Sequence, residues 1–362
     1  MEVTEGIKSI RKGHPGWGGI NIQIELEDQL SDSTSSLPSI SSINRFLSEQ
    51  GFIQKREASS KLPTVKGCGD KKVKKPHDRW ELDAQGSIAV KGIGHQSMIN
   101  AKDAKSKLHC IAFPVSVANG NTQPSGIHYQ WALRTGFMEW GLPRSIQVDK
   151  DSVFIENRSK SPFPKMLHLW LIALGVELCF IKKPPPANNA MVERSHQTMQ
   201  KQVIDGQTHS CWKHFFHYCQ KRRKRMNEKV PNRLLGQKPP LKAYPKAAHS
   251  TRPYSLDKEA QLLDLKRVYR YLARCTWFRL VSKAKTVSLG GQVYYLKAAL
   301  PGSELQIHFC NRAKKFVFRD ANELVVAMRP PSNLSIEDIM GASTKSLIST
   351  WYKLNHYRAF PF

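Results

Sequence analysis

The order of the short apolar runs between Trp80 and Val203 constrains the fold most, because few layered architectures accommodate it. Strand-like runs at 80–84, 97–101 and 108–115 precede a helical stretch over about 128–140. A buried strand at 145–148, a helix around 164–174, a strand at 176–181 and a helix over about 189–203 complete the series. Strand, strand, strand, helix, strand, helix, strand, helix reads as an α/β domain, with a mixed rather than purely parallel sheet.

The flanking segments have a different texture. Residues 14–52 predict helix, loop, helix, with an apolar rhythm at Ile20, Ile24 and Leu26 and a Ser/Asp-rich stretch at 31–36. The second helix is expected after Pro38, with Ser39 as N-cap and Ile43, Phe46 and Leu47 on its buried face, ending at Gly51. Such a pair suits a DNA-binding helix-turn-helix, and equally an ordinary helical pair packed on the rest of the chain. Residues 55–79 hold Lys66, Lys71, Lys72, Lys74, Lys75 and Arg79 among Gly, Pro and Ser, which reads as a flexible basic linker. After an expected helix at 256–273, β-like pieces at 277–281, 292–296, 304–309, 315–318 and 324–328 alternate with turn residues, so a small β-barrel or sandwich is expected. The chain thus divides into a helix-turn-helix region (1–54), the linker (55–79), the α/β core (80–248), a helix with a β-barrel module (249–335) and a tail (336–362).

Charge narrows the class of partner. The 56 lysines and arginines against 29 acids give a formal charge of +27, which calls for a polyanion. Nucleic acid fits better than membrane, since the most apolar stretch, 166–181, is short and interrupted by His168 and Glu177. Glu2, Glu5 and Lys8 stand where a signal peptide needs a basic start and an apolar run, so a cytoplasmic protein is expected. The seven cysteines form no CxxC pair and are read as free thiols. Residues 201–274 carry 18 Lys/Arg against five Asp/Glu, including the run Lys221, Arg222, Arg223, Lys224 and Arg225, expected to follow a phosphate backbone.

Three carboxylates stand out. Asp83 lies in Trp80-Glu81-Leu82-Asp83, a strand context where an unpaired acid is costly. Asp149 ends the strand Ser145-Ile146-Gln147-Val148, at the carboxyl end where α/β sites form. Glu193 opens a helix preceded by Lys182, Lys183 and Pro184 to Pro186. Helical spacing puts Glu193 on one side with His196, Gln197, Gln200 and Lys201, and Val192, Met199 and Val203 behind. Three carboxylates suit Mg²⁺ or Mn²⁺, and two such ions support in-line phosphoryl chemistry without a side-chain nucleophile. Lys182, Lys183, His196, Gln197, Gln200 and Lys201, with the 221–225 run, are the expected DNA contacts. Asp103 and Asp151 are the rival acids, each read more simply as a turn residue. A zinc site from His209, Cys211, His214, His217 and Cys219 is the weaker reading, because the run is expected to be one helix on which these ligands would not converge.

The sequence around these acids resembles the integrase catalytic core shared by bacterial insertion-sequence transposases and retroviral integrases. The resemblance rests on Trp80-Glu81-Leu82-Asp83, on Gln147-Val148-Asp149 with Ser152 and Phe154, and on Pro186 to Glu193 with His196. Asn227, Pro231, Leu235, Gly236, Pro239 and Tyr244 resemble the segment that follows the core in such transposases. It implies a ribonuclease-H-like fold, Asp83, Asp149 and Glu193 as a triad for two Mg²⁺ or Mn²⁺ ions, and cleavage and joining of double-stranded DNA by a multimer assembled on element ends and target. Lys150 and Asp151 stand where relatives often have Asn-Gly, and Ala190 where glycine is common. A catalytically silent DNA-binding relative and a ribonuclease-H-like nuclease without joining activity are the alternatives.

Overall fold

In the computed structural model, which describes residues 3–30, 37–53, 73–116, 123–156, 161–181 and 190–355, the apolar runs are distributed over two units: Met1–Pro124 with Lys182–Thr251, and Ser125–Ile181 with Arg252–Phe362. Lys66, Lys71 and Lys72 of the expected linker, and Lys182 and Lys183, lie outside the described residues.

The first unit begins with three helices, α1 (Val3–Gly13), α2 (Gly19–Gln29) and α3 (Ile40–Glu49). Ser39 caps α3 by accepting the Ser42 amide at 3.1 Å, as its position before the apolar run predicts. Ile7, Ile10, Trp17, Ile22, Leu26, Ile43 and Leu47 form one core, with Phe46 at its edge. Next come three long strands, β1 (Arg79–Val90), β2 (Gly94–Asp103) and β3 (His109–Ser116). All pair antiparallel, with Asp83 opposite Asn100 and Glu81 opposite Lys102. Residues 125–181 contribute α4 (Gly126–Trp140), β4 (Ser145–Val148), α5 (Met166–Ala173) and β5 (Glu177–Phe180) to the second unit.

The first unit resumes with α6 (Ala190–Val203) and α7 (Trp212–Glu228). Met199, Val203, Phe215, Cys219 and Met226 from these helices meet Ile88, Val90, Met98 and Ala112 of the strands in a second core. A 3₁₀ turn (Arg233–Leu235) and α8 (Pro240–Ala243) follow.

The N-terminal helices are fastened to α7 by charge. Arg222 stacks over the Trp17 ring at 4.1 Å and lies 3.7 Å from Glu25, while Arg225 reaches Glu25 at 3.1 Å and Asp28 at 2.6 Å. Lys229 also pairs with Asp28. The His14 ring lies flat against Trp17 at 3.6 Å, and its Nδ1 accepts from the Gln207 amide at 2.9 Å. Gly206 sits at φ +75°, and a Cβ there would overlap Pro15.

In the second unit β4 and β5 pair parallel, Ser145 opposite Glu177 and Val148 opposite Phe180. The described strands therefore show both kinds of pairing, antiparallel in one unit and parallel in the other. The expected helix over 256–273 is broken: α9 (Glu259–Leu262) ends and α10 (Leu265–Leu272) begins behind Asp264, whose carboxylate caps the Lys266 amide at 2.9 Å. The β-like pieces become β6 (Thr276–Leu280), β7 (Thr286–Leu289), β8 (Gln292–Tyr295), β9 (Glu304–Cys310), β10 (Lys315–Arg319) and β11 (Val325–Arg329). They form a four-stranded sheet ordered β11-β10-β9-β6 and a separate β7-β8 hairpin, so hydrogen bonding does not close the expected barrel. The tail holds α11 (Ile336–Met340), closed by a capping box between Ser335 and Asp338, and α12 (Thr344–Asn355).

A fully buried ion pair organises this second unit. Arg134 donates through Nε and Nη2 to the two Glu259 carboxylate oxygens at 2.9 Å each, and both side chains are fully buried. The Tyr254 hydroxyl and Trp170 Nε1 also donate to Glu259, at 2.6 and 2.7 Å, while Arg134 Nη2 donates to the Met340 carbonyl at 2.7 Å. No helix among the described residues is long and apolar enough to cross a membrane.

Two consequences are measurable. Glu259→Leu should cost about 3–5 kcal/mol in a urea titration by stranding Arg134, and adding Arg134→Met should recover much of it; a single-variant loss below about 1 kcal/mol would mean the pair is not the anchor. Burial, with Arg222 and Arg225 nearby, lowers His14 from an ordinary 6.5 to about 4. The unfolded chain therefore binds that proton first as the pH falls, so this contribution is complete above about 6.5 and is lost on the way down to about 4. His14→Gln should show a smaller fall in thermal midpoint across that window, and an identical acid limb would contradict the assignment.

Candidate active site

Asp83 sits in the middle of β1 with its side chain 32% exposed, directly across from Asn100, which is fully buried. Helix α6 lies against these strands because Val192, Met199 and Val203 recur at helical spacing and are completely buried. That packing turns His196 inward. Its Nε2–H donates to Asp83 Oδ2 at 3.1 Å, and its Nδ1 accepts from the Asn100 amide at 3.0 Å. Both ring nitrogens are satisfied, so the imidazole fixes the Asp83 carboxylate and locks α6 in rotation over β1.

Glu193 precedes His196 by three residues, in the first turn of α6, and is exposed. Residues at this spacing have Cβ atoms roughly 5–6 Å apart on one helix face, so locking His196 onto Asp83 carries Glu193 to the same side. A carboxylate in the first turn also suits the helix dipole. Asp149 belongs to the second unit, exposed at the carboxyl end of β4.

The rival acids are occupied locally. Asp151 accepts from the Val153 amide at 3.0 Å and the Ser152 hydroxyl at 3.1 Å, an Asx-type turn. Asp103 is fully buried and accepts from the His77 and Ser106 amides and the Ser106 hydroxyl, at 2.8, 2.7 and 2.6 Å. Carboxylate oxygens on Asp83 and Glu193 are the donor chemistry a hard divalent cation takes. Among the described residues no three of His, Cys, Asp or Glu are grouped so as to hold a metal ion. This covers the alternative zinc ligands too. His209 lies ahead of α7 with Nε2 on the Val203 carbonyl at 2.9 Å, and Cys219 is buried in the core, its thiol pushed well up by burial.

The expected DNA contacts divide sharply. A helix turns about 100° per residue, so a run of consecutive cations wraps the whole helix instead of lining one face. Lys221 and Lys224 are exposed, whereas Arg222 and Arg223 are buried. Arg222 donates to Gln202, and Arg223 to Gln220 and the His109 carbonyl. Arg225 is engaged with Glu25 and Asp28. On α6, Gln197 and Lys201 are exposed and Gln200 is half-buried, but His196 is buried on Asp83. The expectation that all these residues meet a phosphate backbone is corrected accordingly: Arg222, Arg223, Arg225 and His196 hold the protein together.

Sequence reasoning did not find Asn100, whose role depends on a contact to a residue 96 positions away. It also passed over Glu81, which burial pushes up to about 7 opposite Lys102.

No protein-family model matches the sequence, and no curated protein was found similar to it. Among solved structures, the chain is similar to the catalytic core domain of BIV integrase, with 12% identity, 47% of this chain and 95% of that chain covered, and a TM-score of 0.33. It is likewise similar to the HTLV-2 integrase catalytic core domain in complex with magnesium. The trimeric form gives 10% identity, 47% and 97% coverage and a TM-score of 0.35. The dimeric form gives 11%, 47% and 96%, and 0.33.

The split of the basic run is open to a salt titration. Lys221→Gln with Lys224→Gln should reduce the slope of log affinity for duplex DNA against log salt by about 2, while Arg222→Met should lower thermal stability with little effect on the slope. The reverse assignment of these two effects would refute the burial pattern.

Proposed function

We propose that this chain is a metal-dependent DNA strand-cleaving and strand-joining enzyme, a transposase or integrase that acts on the ends of a mobile element. The observation that supports this reading most is the hydrogen bond from His196 to Asp83, made three residues along α6 from Glu193. The ordered set of motifs around Asp83, Asp149 and Glu193 supports it, as does the excess of 27 positive charges, which suits a double-stranded DNA partner.

In this reading Asp83, Asp149 and Glu193 hold Mg²⁺ or Mn²⁺, two ions per site. The bound metal supplies positive charge at the attacking and leaving oxygens of an in-line phosphoryl displacement. His196 is a positioning residue: its Nε2–H holds one Asp83 oxygen and leaves the other carboxylate oxygen for a ligand. Gln197 and Lys201, exposed on the Glu193 side of α6, orient the DNA backbone near the acids, and Lys221 and Lys224 extend that track. The N-terminal helices recognise the element ends, and a homomultimer on DNA holds two ends together.

The test is strand transfer on a labelled duplex carrying the element's terminal repeats, with Mg²⁺ or Mn²⁺. Glu193→Gln and Asp83→Asn should give no cleaved or joined product while binding DNA with an unchanged salt slope. His196→Gln should lose activity by about 10- to 100-fold, as expected for a partner that orients a metal ligand. Cleavage without joining would favour a nuclease, and binding without either reaction a silent DNA-binding relative.

A further inference from the structure

A second concave site lies on the other flank of α6, wholly within the first unit. Arg194, Thr198 and Gln202, spaced by four along the helix, line one side of a cavity of about 660 Å³. Lys102 and Lys107 line it from β2 and the turn that follows, and Arg233 from the 3₁₀ turn after α7. No aspartate or glutamate is among its lining residues.

Lys102 is the informative member. It is 8% exposed, and Glu81, opposite it on β1, favours its charged form. Burial and the neighbouring Lys107 lower it to about 8. A largely buried cation gains from an anion that meets it. Lys107 is anchored differently, donating to the Ala104 carbonyl at 2.7 Å, so it adds field to the cavity rather than a free donor. Neighbouring His109 is fully buried and held neutral, its ordinary value lowered by burial and by Lys102 and Arg223.

Part of the lining is apolar. Pro231 and Leu234 also line the cavity, and Leu234 is 75% exposed. The volume is far more than an inorganic phosphate fills and falls in the range typical of small-molecule sites. An anionic head against Lys102, Arg194 and Arg233 with a flat, weakly polar body against Pro231 and Leu234 describes a nucleotide.

We propose that this cavity binds a nucleoside phosphate, as a free nucleotide or as the 5′-phosphorylated terminal nucleotide of a strand, with the phosphate on Lys102, Arg194 and Arg233.

Titration calorimetry on the full chain tests this, using a nucleoside 5′-monophosphate, inorganic phosphate, and a short single strand with and without its 5′-phosphate. The monophosphate, the 5′-phosphorylated strand, or both should bind. Lys102→Met should weaken that binding about tenfold or more, and so should Arg233→Ala, whose exposed turn position keeps folding out of the question. Binding of the free monophosphate identifies a soluble ligand, and binding of the phosphorylated strand alone identifies a strand terminus; either supports the site. The proposal is overturned if neither binds, if inorganic phosphate binds as tightly, if the strand binds equally without its phosphate, or if Lys102→Met and Arg233→Ala have no effect. None of these readouts requires strand transfer, so the nucleotide site and the catalytic reading stand or fall separately.

Discussion

A charged or polar side chain leaves water only where its atoms meet partners, and the placement of α6 follows from that constraint. His196 is carried against the strands because Val192, Met199 and Val203 on its own helix seek the core. Once there, the imidazole needs an acceptor for one nitrogen and a donor for the other, and Asp83 and Asn100 supply them. Apolar packing alone would tolerate some rotation of the helix. Two directional bonds to one ring remove that freedom, so the side on which Glu193 stands is set by hydrogen bonding as much as by hydrophobic burial.

The same constraint explains why formal charge is a poor map of the surface. Arg134, Arg222 and Arg223 count toward the +27 but are buried. Arg134 is neutralised by Glu259, while Arg222 joins Gln202, Glu25 and the Trp17 face to tie the N-terminal helices to α7. Cations in this chain do two kinds of work: some are internal ties between distant segments, and others, such as Lys221 and Lys224, face solvent. Sorting them requires the helix phase, not the count.

The local parts of the fold were legible for a physical reason. Strand β4 coincides with the expected segment Ser145–Val148, and α3 starts where Ser39 can cap it. Periodicity and capping are short-range signals. The failures were long-range or competitive: Glu259 gains its meaning from Arg134, 125 residues away, and the helix expected over 256–273 broke because Asp264 prefers capping to a helix interior. Strand pieces at 276–329 were mostly recognised, but whether they close depends on which edges pair, and β6 and β11 remain edges. In the candidate site, the Val192, Met199 and Val203 face behind Glu193 was read from spacing, whereas His196 was assigned to DNA because nothing local distinguishes a histidine facing solvent from one facing a buried aspartate.

Helix α6 therefore serves two environments at once. One side carries Glu193, Gln197 and Lys201, and the other presents Arg194, Thr198 and Gln202 to a cationic cavity. Glu193 and Arg194 are adjacent, so a displacement that draws Arg194 toward an anion also moves the backbone that carries Glu193. The His196 bonds oppose such movement, and their strength sets how much of it reaches the acids. If occupancy of the cavity alters ligand affinity at Asp83 and Glu193, occupancy there must alter affinity in the cavity by the same factor, because coupling between two binding equilibria is reciprocal. A rigid His196 bridge makes that factor close to one; a bridge that yields makes α6 the element through which the two sites sense each other.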